Sequence, residues 1–244
     1  MMELVKQIEE MSMNAHPALN IMLYDGWLLR FGEGYTDRAN SVNILTQSTI
    51  SVEEKIRYCE QKYKEQSLAT KFKITPLSLD LDSYLEKDGY QKNSLTDLMI
   101  LDGINLTCND TETMIFEGVS EAWARNYFSL NEVSADHADT ARKIFQNVLP
   151  ATYTATICQG STVVACGRSV IEHGYVSLYN IIVSKEHRRC GYGRNLCEAL
   201  LSHAFLHGAH QGYIQVVASN EKAKNLYKQL GFTTLYQYWY RKKQ

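Results

Sequence analysis

Apolar residues recur with two different spacings along the chain, and the two spacings alternate. Short apolar runs rich in β-branched and aromatic residues, bounded by turn residues, predict strands, and apolar positions repeating every three or four residues predict helices. The predicted strands are 21–31, 39–46, 68–74, 95–101, 113–116, 153–158, 162–171, 175–184, 213–217 and 232–240. The predicted helices are 3–13, 51–65, 78–87, 120–128, 135–148, 195–207 and 220–230. This alternation predicts an α/β protein.

One polar stretch interrupts the pattern near its middle. Residues 103–112 (GINLTCNDTE) are rich in turn-forming residues and contain few apolar positions. A strand, two helices and a further series of strands follow this stretch, as if the pattern started again. We therefore expect two domains, residues 1–108 and 109–244.

The two halves are related by an internal repeat. A shift of 142 positions places residues 84–90 (YLEKDGY) on residues 226–232 (LYKQLGF), and it superposes a predicted helix and strand as well. The repeat fails at one loop, because residues 46–51 (TQSTIS) stand where the second half has residues 188–193 (RRCGYG). We interpret the first half as a degenerate copy that is structural or shapes the substrate side.

The loop RRCGYG lies between a predicted strand and a predicted helix. A helix N-terminus presents backbone N–H groups without helical partners and carries partial positive charge. Glycine lets the backbone approach a ligand closely and adopt a positive φ. Arg188 and Arg189 add charged donors. This combination predicts a binding site for a phosphate-bearing ligand.

Two common phosphate motifs fit this loop poorly. A Walker loop continues with lysine and serine or threonine, but Arg194 and Asn195 follow Gly193. A dinucleotide-binding fingerprint has a third glycine and, about 20 positions on, an acidic residue. Leu196 occupies the glycine position, and residues 216–220 (VVASN) contain no acid.

A third motif is Arg or Gln followed by x-x-Gly-x and then Gly or Ala, after an apolar strand, and Arg188, Gly191 and Gly193 fit it. A second signature follows downstream, formed by Asn220, Ala223, Leu226, Tyr227, Gly231 and Phe232. With both signatures in this order, residues 113–242 resemble the GNAT superfamily of acyl-CoA-dependent N-acyltransferases. The resemblance implies an α/β fold, also classed as α+β, of two GNAT-like domains. Each would be a mixed, mostly antiparallel sheet flanked by helices, with the central strands splayed in the C-terminal domain.

The resemblance also implies where acetyl-CoA binds. The pantetheine arm would lie beside the strand that ends at Ile181, Ile182 and Val183. Asn220 would contact this arm, and Tyr227 would lie near the thioester sulfur. The pyrophosphate would bind the loop formed by Arg188, Arg189, Cys190, Gly191, Tyr192, Gly193 and Arg194.

The reaction implied is transfer of an acetyl group to an amine by direct attack, without a protein nucleophile. A backbone N–H at Ile182, or at the neighbouring Ile181, would stabilise the charge on the carbonyl oxygen. Tyr227 would donate a proton to the leaving thiolate as general acid. The general base stays open among Glu172, His173, Tyr179, Asn180 and a chain of water molecules.

Composition narrows the range of partners. The 244-residue chain has 45% apolar and 21% charged residues and a net charge of −2, which gives no bulk attraction to nucleic acid or to an anionic membrane. No apolar run is long enough to span a membrane. The six cysteines are scattered without a CxxC pair, so free thiols in a reducing cytoplasm are expected rather than disulfides or a metal site.

The expected acceptor is therefore a small-molecule or peptide amine, used by a cytoplasmic monomer or homodimer. Two alternatives belong to other classes of protein. A non-catalytic acyl-CoA sensor would keep the coenzyme site without turnover, and a nucleotide-binding module would use the same loop for a different phosphate.

Overall fold

The computed structural model describes residues 1–46, 48–103 and 112–243. The helices are α1 Met2–Ala15, α2 Val52–Glu65, α3 Leu79–Lys87, α4 Glu121–Leu130, α5 Ala135–Gln146, α6 Tyr192–Leu206 and α7 Glu221–Gln229, with a short 3₁₀ turn at Lys185–His187. The strands are β1 Asn20–Tyr24, β2 Trp27–Phe31, β3 Val42–Ile44, β4 Lys71–Ile74, β5 Gln91–Asp102, β6 Thr113–Glu117, β7 Ala151–Gln159, β8 Thr162–Glu172, β9 Tyr175–Val183, β10 Gln211–Val217 and β11 Thr233–Lys242.

These elements form two compact units. The first comprises Met1–Asp97, Val217–Ser219 and Tyr236–Gln244, and the second comprises Leu98–Val216 and Asn220–Leu235. The strand order is β1-β2-β3-β4-β11 in the first unit and β5-β10-β9-β8-β7-β6 in the second. Each order combines antiparallel neighbours with a parallel pair, which is β3 with β4 and β9 with β10. The predicted fold class, mixed sheets flanked by helices, is confirmed.

The predicted boundary between residues 108 and 109 lies outside the described residues. The expected domain of residues 109–244 differs from both units, since each unit contains more than one segment of the chain. From Tyr236 onward, β11 belongs to the first unit, where Trp239 pairs opposite Ile74 of β4. From Leu98 onward, β5 belongs to the second unit. Strand pairing joins residues far apart in sequence, so a division into two continuous segments does not describe this arrangement.

Local sequence signals set several helix boundaries. The Ser51 hydroxyl accepts a hydrogen bond from the Glu54 N–H at 3.3 Å and thereby caps the start of α2. Helices α3 and α7 begin at Leu79 and Glu221 and have equal lengths, so the spacing of 142 residues relates them directly. The repeat seen in the sequence therefore corresponds to equivalent helices in the two units.

Helix α6 joins the loop RRCGYG to the core of the second unit. One face of this helix packs against residues of β6, β7, β8 and β9, as its helical periodicity predicts. The buried residues on this face are Leu196, Cys197, Leu200, Leu201 and Ala204. The start of α6 is consequently held against the end of β9.

Candidate active site

The loop between β9 and α6 has the left-handed backbone that its glycines suggest. Gly191 has φ of 86° and is the N-cap residue of α6, and Arg189 has φ of 68°. The N–H groups of Arg194 and Asn195 donate to the Gly191 carbonyl oxygen at 2.9 and 3.0 Å. The amide groups from Arg189 to Gly193 come before Arg194, whose N–H is the first to have a helical acceptor. Amide groups without a helical acceptor at a helix start suit an anion.

The strands on either side of the loop separate from each other. Parallel pairing of β9 with β10 joins Tyr175–Ser177 to Gln211–Tyr213. No further pair joins these two strands, both of which lie wholly within the described residues. The splay predicted for the central strands is therefore confirmed. It leaves residues 178–183 with an open edge.

A cleft of about 410 Å³ lies at this opening. It brings together most of the residues expected at the coenzyme site, which are Ile181, Ile182, Val183, Arg188, Arg189, Tyr192, Gly193, Asn220 and Tyr227. Cys190, Gly191 and Arg194 belong to the same loop but are not among the residues that line the cleft. Cys190 is exposed and contacts the Arg188 carbonyl oxygen, while Arg194 pairs with Glu198 at 2.8 Å.

Four lining residues were missed by the sequence analysis: His187, Lys222, Ala223 and Leu226. Ala223 and Leu226 are part of the second signature, so their spacing could have indicated them. Lys222 follows the signature residue Asn220 by two positions, and His187 precedes Arg188. Both are basic residue types next to a signature position, and this position is the signal that could have indicated them.

The positive charge around the cleft comes from several elements. Arg188 and Arg189 are exposed at the loop, and Lys222 is exposed at the start of α7. The Arg188 side chain donates from Nε to the Val183 carbonyl oxygen at 3.3 Å, which links the loop to the end of β9. Within the described part of the chain, Arg189 and Lys222 form no ion pair, so both charges can act on a bound anion.

Strand pairing determines which amide groups of β9 face the gap. The Ser184 N–H donates to the Val164 carbonyl oxygen at 2.8 Å, and Ile182 lies opposite Cys166. Because N–H directions alternate along a strand, the Ile182 N–H is directed at β8. The N–H groups of Ile181 and Val183 are directed at the open edge. This register favours Ile181 over Ile182, the expected position, as a donor into the cleft.

Tyr227 lies on α7, lines the cleft and is 7% exposed. Its ring contacts Phe232 edge-on at a centroid distance of 6.1 Å. Burial, and to a smaller extent the nearby Cys197 thiol, raise the pKa of the Tyr227 hydroxyl far above its usual value. The hydroxyl consequently keeps its proton at neutral pH.

Asn220 caps the helix that carries Tyr227. Its side-chain oxygen accepts a hydrogen bond from the Ala223 N–H at 3.2 Å. Asn220 also lines the cleft. One residue thus fixes the start of α7 and borders the space where a ligand would bind.

Two candidates for the general base lie away from this cleft. Glu172 pairs opposite Tyr175 at the beginning of β9, and His173 lies in the adjoining turn. The cleft begins at Ile181, six residues or about 20 Å farther along the strand. Glu172 and His173 are therefore too distant, whereas Asn180 immediately precedes the lining residues.

Within the described ranges, no group of three or more His, Cys, Asp or Glu side chains is arranged to hold a metal ion. Across residues 1–46, 48–103 and 112–243, no helix combines the length and apolar composition needed to cross a bilayer.

Comparison with known proteins gives consistent results. A family model described as "Probable histone acetyltransferase Rv0428c C-terminal" matches residues 4–241. The chain is 27% identical over 246 residues to "Uncharacterized N-acetyltransferase YobR" of Bacillus subtilis, covering 98% of this chain and 99% of that protein.

Two solved structures share the fold. A GCN5-related N-acetyltransferase from Kribbella flavida is 12% identical, with 98% of this chain and 95% of that one covered and a TM-score of 0.73. A tandem GNAT protein from the clavulanic acid biosynthesis pathway is 11% identical, with 83% and 74% covered and a TM-score of 0.66. The second similarity supports the interpretation of the chain as two related copies.

Proposed function

The chain belongs to the family described as "Probable histone acetyltransferase Rv0428c C-terminal", within the GNAT superfamily, and we propose that it transfers an acetyl group from acetyl-CoA to an amine. The observation that carries this proposal is the cleft at the splay of β9 and β10. It combines an anion-binding loop, an open strand edge and a buried, protonated tyrosine in one space.

The residues of the cleft suit the different parts of acetyl-CoA. The loop amides from Arg189 to Gly193 and the charges of Arg188 and Lys222 suit phosphate groups. The open edge of β9 offers backbone groups to the amide-containing pantetheine arm, as an added strand would. The cleft volume of about 410 Å³ lies within the usual range for small-molecule sites.

The thioester supplies an activated acetyl group to the neutral amine that attacks it. In this proposal the Ile181 N–H, which is directed at the open edge, stabilises the negative charge that develops on the carbonyl oxygen. This position replaces Ile182, the expected donor. Holding amine and thioester in one cleft lowers the barrier further by proximity.

Tyr227 acts as general acid toward the departing thiolate, and the proton that the attacking nitrogen loses returns to the tyrosine oxygen through water. Tyr227 lines the cleft, and burial keeps its hydroxyl protonated. It therefore has a proton to donate when the sulfur becomes anionic. We propose a small-molecule or peptide amine as acceptor, in a cytoplasmic monomer or homodimer.

The test is thiol release from acetyl-CoA in the presence of a panel of small amines and peptides, together with calorimetry for coenzyme A, ATP and NAD. We expect coenzyme A to bind and at least one amine to trigger thiol release. Coenzyme binding without release for any amine would favour the acyl-CoA sensor. Binding of ATP or NAD without coenzyme A would overturn the proposal.

A further inference from the structure

Strand β9 contains a bulge immediately before the cleft. Cys166 of β8 pairs with Ile182 and Arg168 pairs with Tyr179, so Asn180 and Ile181 both lie opposite Gly167. Asn180 has φ of 57°, in the left-handed region. An extra residue in one strand reverses the directions in which the N–H groups and side chains of the following residues point, relative to a strand without the bulge. The direction of the Ile181 N–H toward the open edge therefore depends on this bulge.

Gly167 leaves the space that the bulge needs. A Cβ atom at this position would lie 2.7 Å from Ile181 Cδ1 and 2.8 Å from Leu196 Cδ2. Contacts this short are not tolerated without movement of the neighbouring atoms. The side chain of Ile181 consequently packs over the glycine, between β8 and α6.

Arg168 reaches the bulge from the neighbouring strand. It is fully buried, and its Nε donates to the Asn180 side-chain oxygen at 3.2 Å. Its guanidinium lies 5.1 Å from the ring centroid of Phe145 on α5 and 5.2 Å from that of Tyr179. The ring of Phe145 on α5 and the ring of Tyr179 on β9 both attract the Arg168 guanidinium through cation–π interactions. A buried cation is costly, so its place beside the bulge requires an explanation.

We propose that Arg168 and Asn180 are positioning residues that hold the bulge of β9 and thereby direct the Ile181 N–H into the cleft. Asn180 supplies a residue type that tolerates the left-handed conformation. Arg168 fixes the orientation of its side chain. The inference rests on the proposed function, because the Ile181 N–H that Arg168 and Asn180 position is the oxyanion donor of that reaction.

The experiment is a double-mutant cycle of Arg168→Met and Asn180→Gly. Glycine keeps the left-handed conformation but removes the oxygen that accepts from Arg168. Loss of an oxyanion donor lowers kcat by about 100- to 1000-fold, so we expect a displaced donor in Arg168→Met to lower kcat by roughly tenfold or more, with KM for acetyl-CoA within about twofold. In the Asn180→Gly background, Arg168→Met should lower kcat much less. Equal losses in both backgrounds, or an unchanged kcat, would overturn the inference.

Foldedness is checked by thermal unfolding and by calorimetric binding of coenzyme A. If Arg168→Met does not fold, the proposal is tested by the activities of three other variants: Arg168→Lys, Asn180→Gly and Asn180→Ala. Arg168→Lys, which keeps the charge and a donor, should retain more activity than Asn180→Gly. Asn180→Ala should be the slowest, since it loses both the contact and the tolerated conformation. A different order would contradict the proposal.

A second measurement separates this inference from the proposed function. Amide resonances of Ile181 and Val183 are recorded for the wild-type protein and Arg168→Lys, with Val176, which precedes the bulge, as internal control. We expect shifts at Ile181 and Val183 larger than at Val176, even if no amine releases thiol. Absence of thiol release in the wild type would overturn the proposed function alone, and unmoved Ile181 and Val183 resonances would overturn the positioning role alone.

Discussion

The backbone amides at the start of α2 in the first unit and at the start of the equivalent helix α6 in the second unit have different surroundings. In the first unit, the Asp25 carboxylate accepts hydrogen bonds from the N–H groups of Thr49 and Ile50, both at 2.9 Å. The Thr49 hydroxyl donates to the same carboxylate at 2.8 Å. An internal anion thus satisfies the amide groups before α2. In the second unit, the equivalent residues are Gly191, the N-cap of α6, and Tyr192, its first residue. Tyr192 lines the cleft, and Arg188, Arg189 and Lys222 line it as well.

The side chains around the two helix starts reinforce this difference. Lys55 of α2 is buried and pairs with the Asp25 carboxylate at 3.2 Å, whereas position 197 of α6 is an apolar cysteine in the core. Asp80 of α3 stands where α7 has Lys222. The backbone amides and the Lys55 ammonium hold the pKa of Asp25 well below its usual range. In the first unit, the Asp25 carboxylate therefore occupies the amide groups to which a phosphate could otherwise bind, and the helix geometry is retained.

The largest effect is expected for Tyr227→Phe. Removal of a general acid lowers kcat by about 100-fold or more, while KM for acetyl-CoA should change little, because the ring remains. Steady-state thiol release measures this effect. Tyr84→Phe changes the first-unit tyrosine equivalent to Leu226 and should leave kcat unaltered. Wild-type activity in Tyr227→Phe would remove Tyr227 from the mechanism.

Gly191→Ala should raise KM for acetyl-CoA by roughly tenfold, since a side chain at this left-handed position strains the loop that binds phosphate. Gly89→Ala, at φ of 84° in the first unit, is the matched control. Both variants should lose about 1 kcal/mol in the free energy of unfolding, but only Gly191→Ala should alter KM. Equal KM values in the two variants would show that the loop does not bind the coenzyme.

Lys222→Asp introduces the acid that the first unit has at the equivalent position. We expect KM for acetyl-CoA to rise about fivefold at low salt and less at high salt, because the exposed charge is screened. Lys228→Asp changes the same charge on the same helix but outside the cleft, and it should have little effect. A salt-independent change in KM would contradict an electrostatic role for Lys222.

Asp25→Asn should leave kcat and KM unaltered and should lower stability. Because the folded pKa of Asp25 is depressed, its stabilising contribution is complete above the unfolded pKa, about 3.9. The contribution is lost as pH falls through the lower folded pKa. The difference in urea midpoint between wild type and Asp25→Asn should thus be constant from neutral pH to about pH 5 and shrink below about pH 4. Asp80→Asn is the control. A difference that grew toward acid pH would disprove this account of Asp25.

Much of the fold and of the site could be predicted because the signals are local. The Ser51 cap, the periodicity of α6 and the glycines of the loop each act within a few residues. The two signatures led to most residues of the cleft. Lys222 and His187 lie outside both signature patterns, so their contribution became visible only in the cleft itself.

What the sequence by itself determined is therefore the helices, most of the strands, the repeat, and the glycine loop expected to bind an anion. The single strand predicted over 21–31 is instead the antiparallel pair β1 and β2. The tertiary structure decided the assignment of β11 to the first unit, the closure of the first loop by Asp25, and the bulge at Asn180 that favours Ile181 over Ile182. Asp25 lies 24 residues before Thr49, and Arg168 lies 12 residues before Asn180. Contacts of this kind depend on strand register and packing, which join distant positions and leave no periodic signal in the chain.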